Sequence, residues 1–155
     1  MESGARRRYR FYVWTVGHGG LARPKNEYRI QTKLKVEASL QFGSGTTVLI
    51  GYYRRDVDIA GIKAGNEPPR DMEVFVAWDP VKHLRPGASS SCQVPFSTMY
   101  EAYLVGLSAS QRKLADGSAE LVLSFRPEYL APYLLLAAHG HESVTRENLG
   151  ARLGS

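Results

Sequence analysis

Three stretches of this 155-residue chain gather cations where glycine, proline and serine interrupt regular structure. Arg23, Lys25, Asn26, Glu27 and Arg29 lie in "HGGLARPKNEYRI". Arg54 and Arg55 leave an apolar run, and Lys82, His83, Arg85, Ser89 and Ser90 fall in "VKHLRPGASSSCQV". Lys, Ser and backbone N–H groups hold phosphates, whereas Arg, Asn and Glu match the edges of guanine, adenine and cytosine. Each residue taken singly is more simply a solvated loop charge. Taken together, with a net charge of +5, they favour contact with DNA through basic loops.

Catalytic chemistry finds less support. A magnesium-dependent nuclease needs carboxylates converging on one cation with a lysine close by. Asp58, Glu73 and Asp79 are the candidates for such a centre, but Glu73 is followed by Val74 and Phe75, so the acid-x-Lys pair is missing. Solvated loop carboxylates are the better reading of these and of Asp56, Glu67 and Asp71. His18 and His83 stand alone in polar loops and His139 and His141 form a glycine-linked pair, so no metal is expected. The single Cys92 excludes an intrachain disulfide, suits a reducing cytoplasm and has no activating neighbours; it reads as a half-buried apolar residue. "GHGG" lacks the lysine and following helix of a phosphate loop. No catalytic residue and no cofactor are expected. Trp14, Tyr52, Tyr53 and Trp78 could line a stacking pocket for a flipped cytosine, although core packing is the commoner fate of such aromatics.

Strands must position these groups. Residues 9 to 16 and the segment "EYRIQTKLKVEA" alternate cleanly, the second with Tyr28, Ile30, Thr32 and Leu34 on a dry face and Arg29, Gln31, Lys33 and Lys35 on a wet one. Further strands are expected near residues 47 to 53, 72 to 79, 91 to 94 and 119 to 125, with an exposed excursion at 54 to 71. A helical stripe from Phe96 to Leu107 has Ser97 as its candidate cap. A second short helix begins at Pro127, with Pro132 placed to kink or shorten it.

The expected fold is α+β and mostly β, a curved sheet or a pseudobarrel with two short helices. Residues 1–8 read as a basic tail, 9–138 as one DNA-binding domain and 139–155 as a linker or tail. The N-terminus lacks the apolar core of a signal peptide and no apolar run is long enough to span a membrane, so a soluble cytoplasmic protein is expected.

The order of "ARPKNEYRI", "TVLIGYY", "VFVAWDP" and "SSSCQV" resembles a methylase-associated module found beside DNA cytosine methyltransferases and restriction enzymes, over roughly residues 9 to 136. The piece Asn26-Glu27-Tyr28-Arg29-Ile30 is also similar to the Asn-Glu-x-Arg-Ile segment in the effector domain of EcoRII-type restriction endonucleases. That domain is a DNA-binding pseudobarrel of the B3 kind. The resemblance implies a sequence- or modification-specific double-stranded DNA-binding domain of a bacterial restriction-modification protein, with two loop arms gripping the major groove. It places Arg23, Asn26, Glu27 and Arg29 in a reading arm and Lys25 on phosphate; assigning residues 82 to 91 to the second arm follows from their charge and loop length. Implied partners are DNA, its cytosine methylation left open, and a nuclease or methyltransferase domain or subunit that carries the chemistry. A divergent nuclease and a protein-interaction adaptor are the alternatives.

Overall fold

The alternation of Glu27–Lys33 puts Tyr28, Ile30 and Thr32 under cover and leaves Arg29, Gln31 and Lys33 outward. That single pattern sets the architecture, because a strand with one dry face requires a second layer to lie against it. The computed structural model describes residues 6–34, 45–145, 147–149 and 151, and Lys35 lies outside them. Its elements in order are β1 Tyr9–Thr15, β2 Gly17–His18, β3 Glu27–Lys33, β4 Thr46–Arg54, α1 Ile59–Lys63, β5 Glu73–Trp78, α2 Pro80–His83, β6 Ser89–Pro95, α3 Phe96–Val105, β7 Leu107–Lys113, β8 Ala119–Phe125 and α4 Leu130–Ala137.

They form an open, curved five-stranded sheet in the order β1-β4-β5-β8-β7 and a three-stranded sheet, β2-β3-β6. The pair β1 and β4 is parallel and every other pair of named strands is antiparallel. The α+β class is as expected. Between the sheets lies one core, with Tyr28, Ile30, Leu49, Val76, Trp78, Cys92, Val94 and Met99. On the other face of the larger sheet, Val48, Ile50, Leu123 and Phe125 pack beneath Tyr133 and Ala137 of α4. Each such side chain contributes roughly 1.5–3 kcal/mol by leaving water. Burial pushes the Cys92 thiol up to about 12, so it is an inert core residue, as its surroundings in the sequence suggest.

Two helices were expected; α1 and α2 are additional to them. The additional two begin at acids. Asp58 accepts from the Gly61 N–H at 3.0 Å to open α1 inside the expected excursion, and Asp79 accepts from the Val81 N–H at 3.0 Å, with Pro80 at the first position of α2. Ser97 caps nothing in α3; the Asn26 side chain does so from the turn before β3. Pro132 sits in the first turn of α4, where its missing N–H would have had no partner anyway, so it neither kinks nor breaks the helix. Strand β7, "LSASQRK", was not expected and is held by its pairing with β8.

The described part of 139–155 is seated on the domain rather than trailing from it. His141, Val144 and Leu149 are buried. His141 donates from Nε2 to the Leu121 carbonyl at 2.7 Å, and its Nδ1 lies 2.8 Å from the Tyr133 hydroxyl. Among the described residues, no helix is long and apolar enough to cross a membrane.

Candidate nucleic-acid interface

The smaller sheet is in essence a two-stranded ribbon. Register pairs Glu27 with Pro95, Arg29 with Gln93, Gln31 with Ser91 and Lys33 with Ser89, and these eight residues lie on the side away from the core. From Arg29 to Lys33 it carries two cations, two amides and the Ser89 hydroxyl and no carboxylate, the Ser91 hydroxyl being buried and Glu27 standing at its other end. Behind them Tyr28, Ile30, Cys92 and Val94 are anchored in the core, so the outer side chains stand on a backbone with little freedom. Trp78 adds a tie between the sheets, donating from Nε1 to the Gln93 carbonyl at 2.9 Å.

The connection from β2 to β3 is pinned. His18 accepts at Nδ1 from the Gly20 N–H at 2.9 Å and donates from Nε2 to the Pro24 carbonyl at 3.0 Å, which closes the loop on itself. Arg23 pairs with Glu27 at 3.6 Å. The Asn26 Oδ1 accepts from the Ser97 N–H at 3.0 Å and its carbonyl accepts from Phe96 N–H at 2.8 Å, so the side-chain acceptor that would read a base is spent on the start of α3. Lys25 is exposed while its carbonyl is held by the Asn66 amide at 2.8 Å. The arm therefore offers Arg23, Lys25 and Arg29 outward, and Asn26 is corrected to a helix cap.

Below the arm is a buried hydrogen-bonded hub. Asp58 Oδ2 accepts from the hydroxyls of Tyr28 at 2.6 Å and Tyr53 at 2.7 Å, and the Asn66 amide donates to the Tyr28 oxygen at 3.1 Å. Gly61 completes it, since a methyl group there would fall on the Tyr28 hydroxyl and the Asp58 carboxylate. Burial first, and then the Asp58 carboxylate, hold the phenols of Tyr28 and Tyr53 well above the ordinary tyrosine range. Below pH about 10 the phenols are protonated in both folded and unfolded chains and this stabilisation is complete. Above it the unfolded chain releases protons that the folded one retains, so stability is lost as pH rises. Chemical denaturation at pH 8 and pH 11 is expected to show a lower midpoint at pH 11, with Tyr53→Phe reducing the difference.

The second basic stretch divides. His83 turns inward: its Nε2 lies 2.8 and 2.7 Å from the two oxygens of Glu120, which is fully buried, and its Nδ1 lies 2.9 Å from Ser90 Oγ. His83 and Ser90 are thus corrected from DNA contacts to an internal chain of polar groups. Lys82 donates to the Ala119 carbonyl at 2.7 Å and pairs with Glu142 at 3.6 Å. Arg85 and Ser89 remain exposed, and they are brought to the end of the ribbon because Pro86 bridges to Leu34 and Gly87 N–H donates to the Leu34 carbonyl at 3.0 Å. Arg54 and Arg55 sit in a mixed-charge group with Asp56, Arg70, Asp71 and Glu73, where Arg54 pairs with Asp56 at 3.3 Å.

The proposed aromatic pocket does not form. Tyr53 and Trp78 are 0% exposed, and adjacent Tyr52 and Tyr53 project to opposite faces of β4, as strand geometry requires. Tyr52 donates to Glu73 and packs on Phe75, while Trp14 stacks on Tyr12. The three nuclease carboxylates also stay apart. Asp58 is in the hub, and Glu73 and Asp79 flank β5 about 20 Å from each other. Among the described residues no three acids, histidines or cysteines form a group suited to a metal ion. Gln31, Lys33 and Gln93 are the outward residues missed as site candidates; the wet face of β3 was the available signal for two of them.

Comparison with family models matches residues 7–134 to the family described as methylase-associated X1. The chain belongs to that family. The match to methylase-associated X1 spans both sheets, both cation-bearing connections and part of α4. Membership in methylase-associated X1 fits a role tied to restriction and modification, in association with a methyltransferase or such a system. Searches of curated proteins and of solved structures each found no match.

Proposed function

We propose that this methylase-associated X1 chain is a double-stranded DNA-binding module that recognises target sites for a restriction-modification system, with methyl transfer or cleavage supplied by another domain or subunit. The observation that carries this reading is the outer face of the β3–β6 ribbon, which has cations and amides in register, Ser89 at its end, and no acid from Arg29 to Lys33. A major groove about 12 Å wide admits a two-stranded ribbon. In that position Arg29 suits guanine, the amides of Gln31 and Gln93 suit adenine, and Lys25, Lys33, Arg85 and Ser89 suit phosphates on either side. The two connections that bear these flanking groups correspond to the two arms of the B3-like arrangement, which is part of the same reading. Rooting the ribbon in the core supplies the angular accuracy that base reading demands.

Titration of short duplexes of varied sequence and cytosine methylation over a range of salt tests it. Neutralisation of three phosphates by Lys25, Lys33 and Arg85 gives an expected slope of about −3 for log K against log salt. Arg29→Ala is expected to cost about 1–3 kcal/mol on the preferred duplex and to relax the preference at one base pair, whereas Lys33→Ala weakens all duplexes alike and lowers the slope by about 1. Lack of duplex binding at low salt defeats the proposal and leaves an adaptor for an acidic protein partner.

A further inference from the structure

The arm between β2 and β3 holds an apolar side chain out to solvent. Leu21 is 79% exposed, and in "GGLARPKN" it is the one aliphatic side chain longer than alanine. A lone exposed leucine on an ordinary surface needs no explanation. This one is presented by a built turn. The Arg23 N–H donates to the Gly20 carbonyl at 3.0 Å, and Gly20 has a φ of 97°, a conformation that favours glycine. His18 holds both sides of the turn, through the Gly20 N–H and the Pro24 carbonyl.

The turn stands on the outward side of the ribbon. Arg23 closes it, and the Arg23 guanidinium lies 3.6 Å from the carboxylate of Glu27, which shares the outward side of β3 with Arg29, Gln31 and Lys33. Leu21 is therefore at the Glu27 end of the surface assigned to DNA, two residues before Arg23 and four before Lys25. From Arg29 to Lys33 that surface has no apolar side chain on β3 or on its partners in β6. Leu21 adds the kind of contact that the ribbon lacks. Val81, with 82% exposure, has different surroundings: it borders a separate cavity with Pro80, Leu84 and Glu142.

We propose that Leu21 reads a methyl group at C5 of a pyrimidine in the major groove, that of thymine or of 5-methylcytosine. The base edges in that groove are polar except for the C5-methyl, which is the group that apolar side chains contact. Both pyrimidines present it at the same ring position, so one side chain serves either. Arg23 and Lys25 hold the arm on the backbone while the leucine covers the methyl group. Burying one methyl group is worth about as much as burying one methylene, a factor of about four in affinity. The contact carries no charge, so it leaves the salt dependence alone. The proposal rests on the DNA reading above.

The whole chain is to be titrated with one set of duplexes made in three forms: ordinary, with uracil in place of thymine, and with 5-methylcytosine in place of cytosine. A loss of about fourfold with uracil is expected if the contact is to thymine, and a gain of about fourfold with 5-methylcytosine if it is to a methylated cytosine. Leu21→Ala should remove whichever dependence is found, while its affinity for the uracil form, which has no C5-methyl group, stays close to that of the parent. Leu21→Met should keep the dependence, and Val81→Ala should leave it as in the parent. Equal affinity for all three forms, a methyl dependence that survives Leu21→Ala, or one lost equally in Val81→Ala overturns the leucine contact and leaves groove reading by the ribbon intact. Absence of binding to every duplex at low salt overturns both.

Discussion

His83→Ala is expected to lower the thermal unfolding midpoint by on the order of 10 °C, the largest loss from any single histidine in the chain. The reason is the company that His83 keeps. Glu120 has no exposure, and its two oxygens lie 2.8 and 2.7 Å from the imidazole Nε2. A carboxylate removed from water needs hydrogen-bond donors, and deleting one partner of such a buried pair costs about 3–5 kcal/mol because the other is stranded. The Asp79 N–H at 3.2 Å is a single neutral donor and does not replace the imidazole. Ser90 loses its contact with Nδ1 as well, and with it one restraint on the start of β6. Combining His83→Ala with Glu120→Gln removes the stranded charge and is expected to recover a substantial part of the loss, a non-additivity that calorimetry on the two single variants and the double variant would measure. A cost below about 1 kcal/mol for His83→Ala would show that Glu120 is relieved by some other group.

Asp58→Ala is expected to cost about 4–6 kcal/mol in denaturant titration, close to the whole stability of many domains of this size. Two tyrosine hydroxyls and the Gly61 N–H converge on this carboxylate. Each buried donor left without an acceptor costs roughly 1–3 kcal/mol, and the cap of α1 contributes about 1 kcal/mol more. Tyr53→Phe provides the contrast: it deletes the donor together with its need for an acceptor, so its expected cost is about 1 kcal/mol. If Asp58→Ala proved as mild as Tyr53→Phe, the hub would be ornamental to stability and the arm would be held by its strand pairing alone.

How much of this was legible in the sequence depended on the range of the interaction. Alternation in β3 showed both faces of the ribbon because burial differs between neighbouring residues along one strand. Strand β7 gave no such sign: Ser108, Ser110, Gln111 and Arg112 have little preference for sheet, and their conformation comes from pairing with β8. Asp58 and Asp79 looked like candidate metal ligands because an acid reads the same whether it faces a cation or an N–H group two or three residues ahead. The Asp79-Pro80 step did contain a helix-start signal. His83 and Glu120 are 37 positions apart, and Asn26 reaches across 71 to cap α3. No local pattern joins such pairs, so residues chosen for their chemistry as DNA contacts proved to be structural.

The interleaving of the two sheets has a consequence for how the surface persists in time. Strands β1, β4, β5, β7 and β8 belong to one sheet and β2, β3 and β6 to the other, so the backbone passes between them four times among the described strands. Neither sheet is a contiguous length of chain that could open and close as its own cooperative unit. The ribbon cannot form until β6 has been made, more than fifty residues after β3, and once formed it cannot melt without undoing the layer beneath it. The lifetime of the candidate reading surface is therefore the lifetime of the fold, and any ligand captured there holds the entire chain closed.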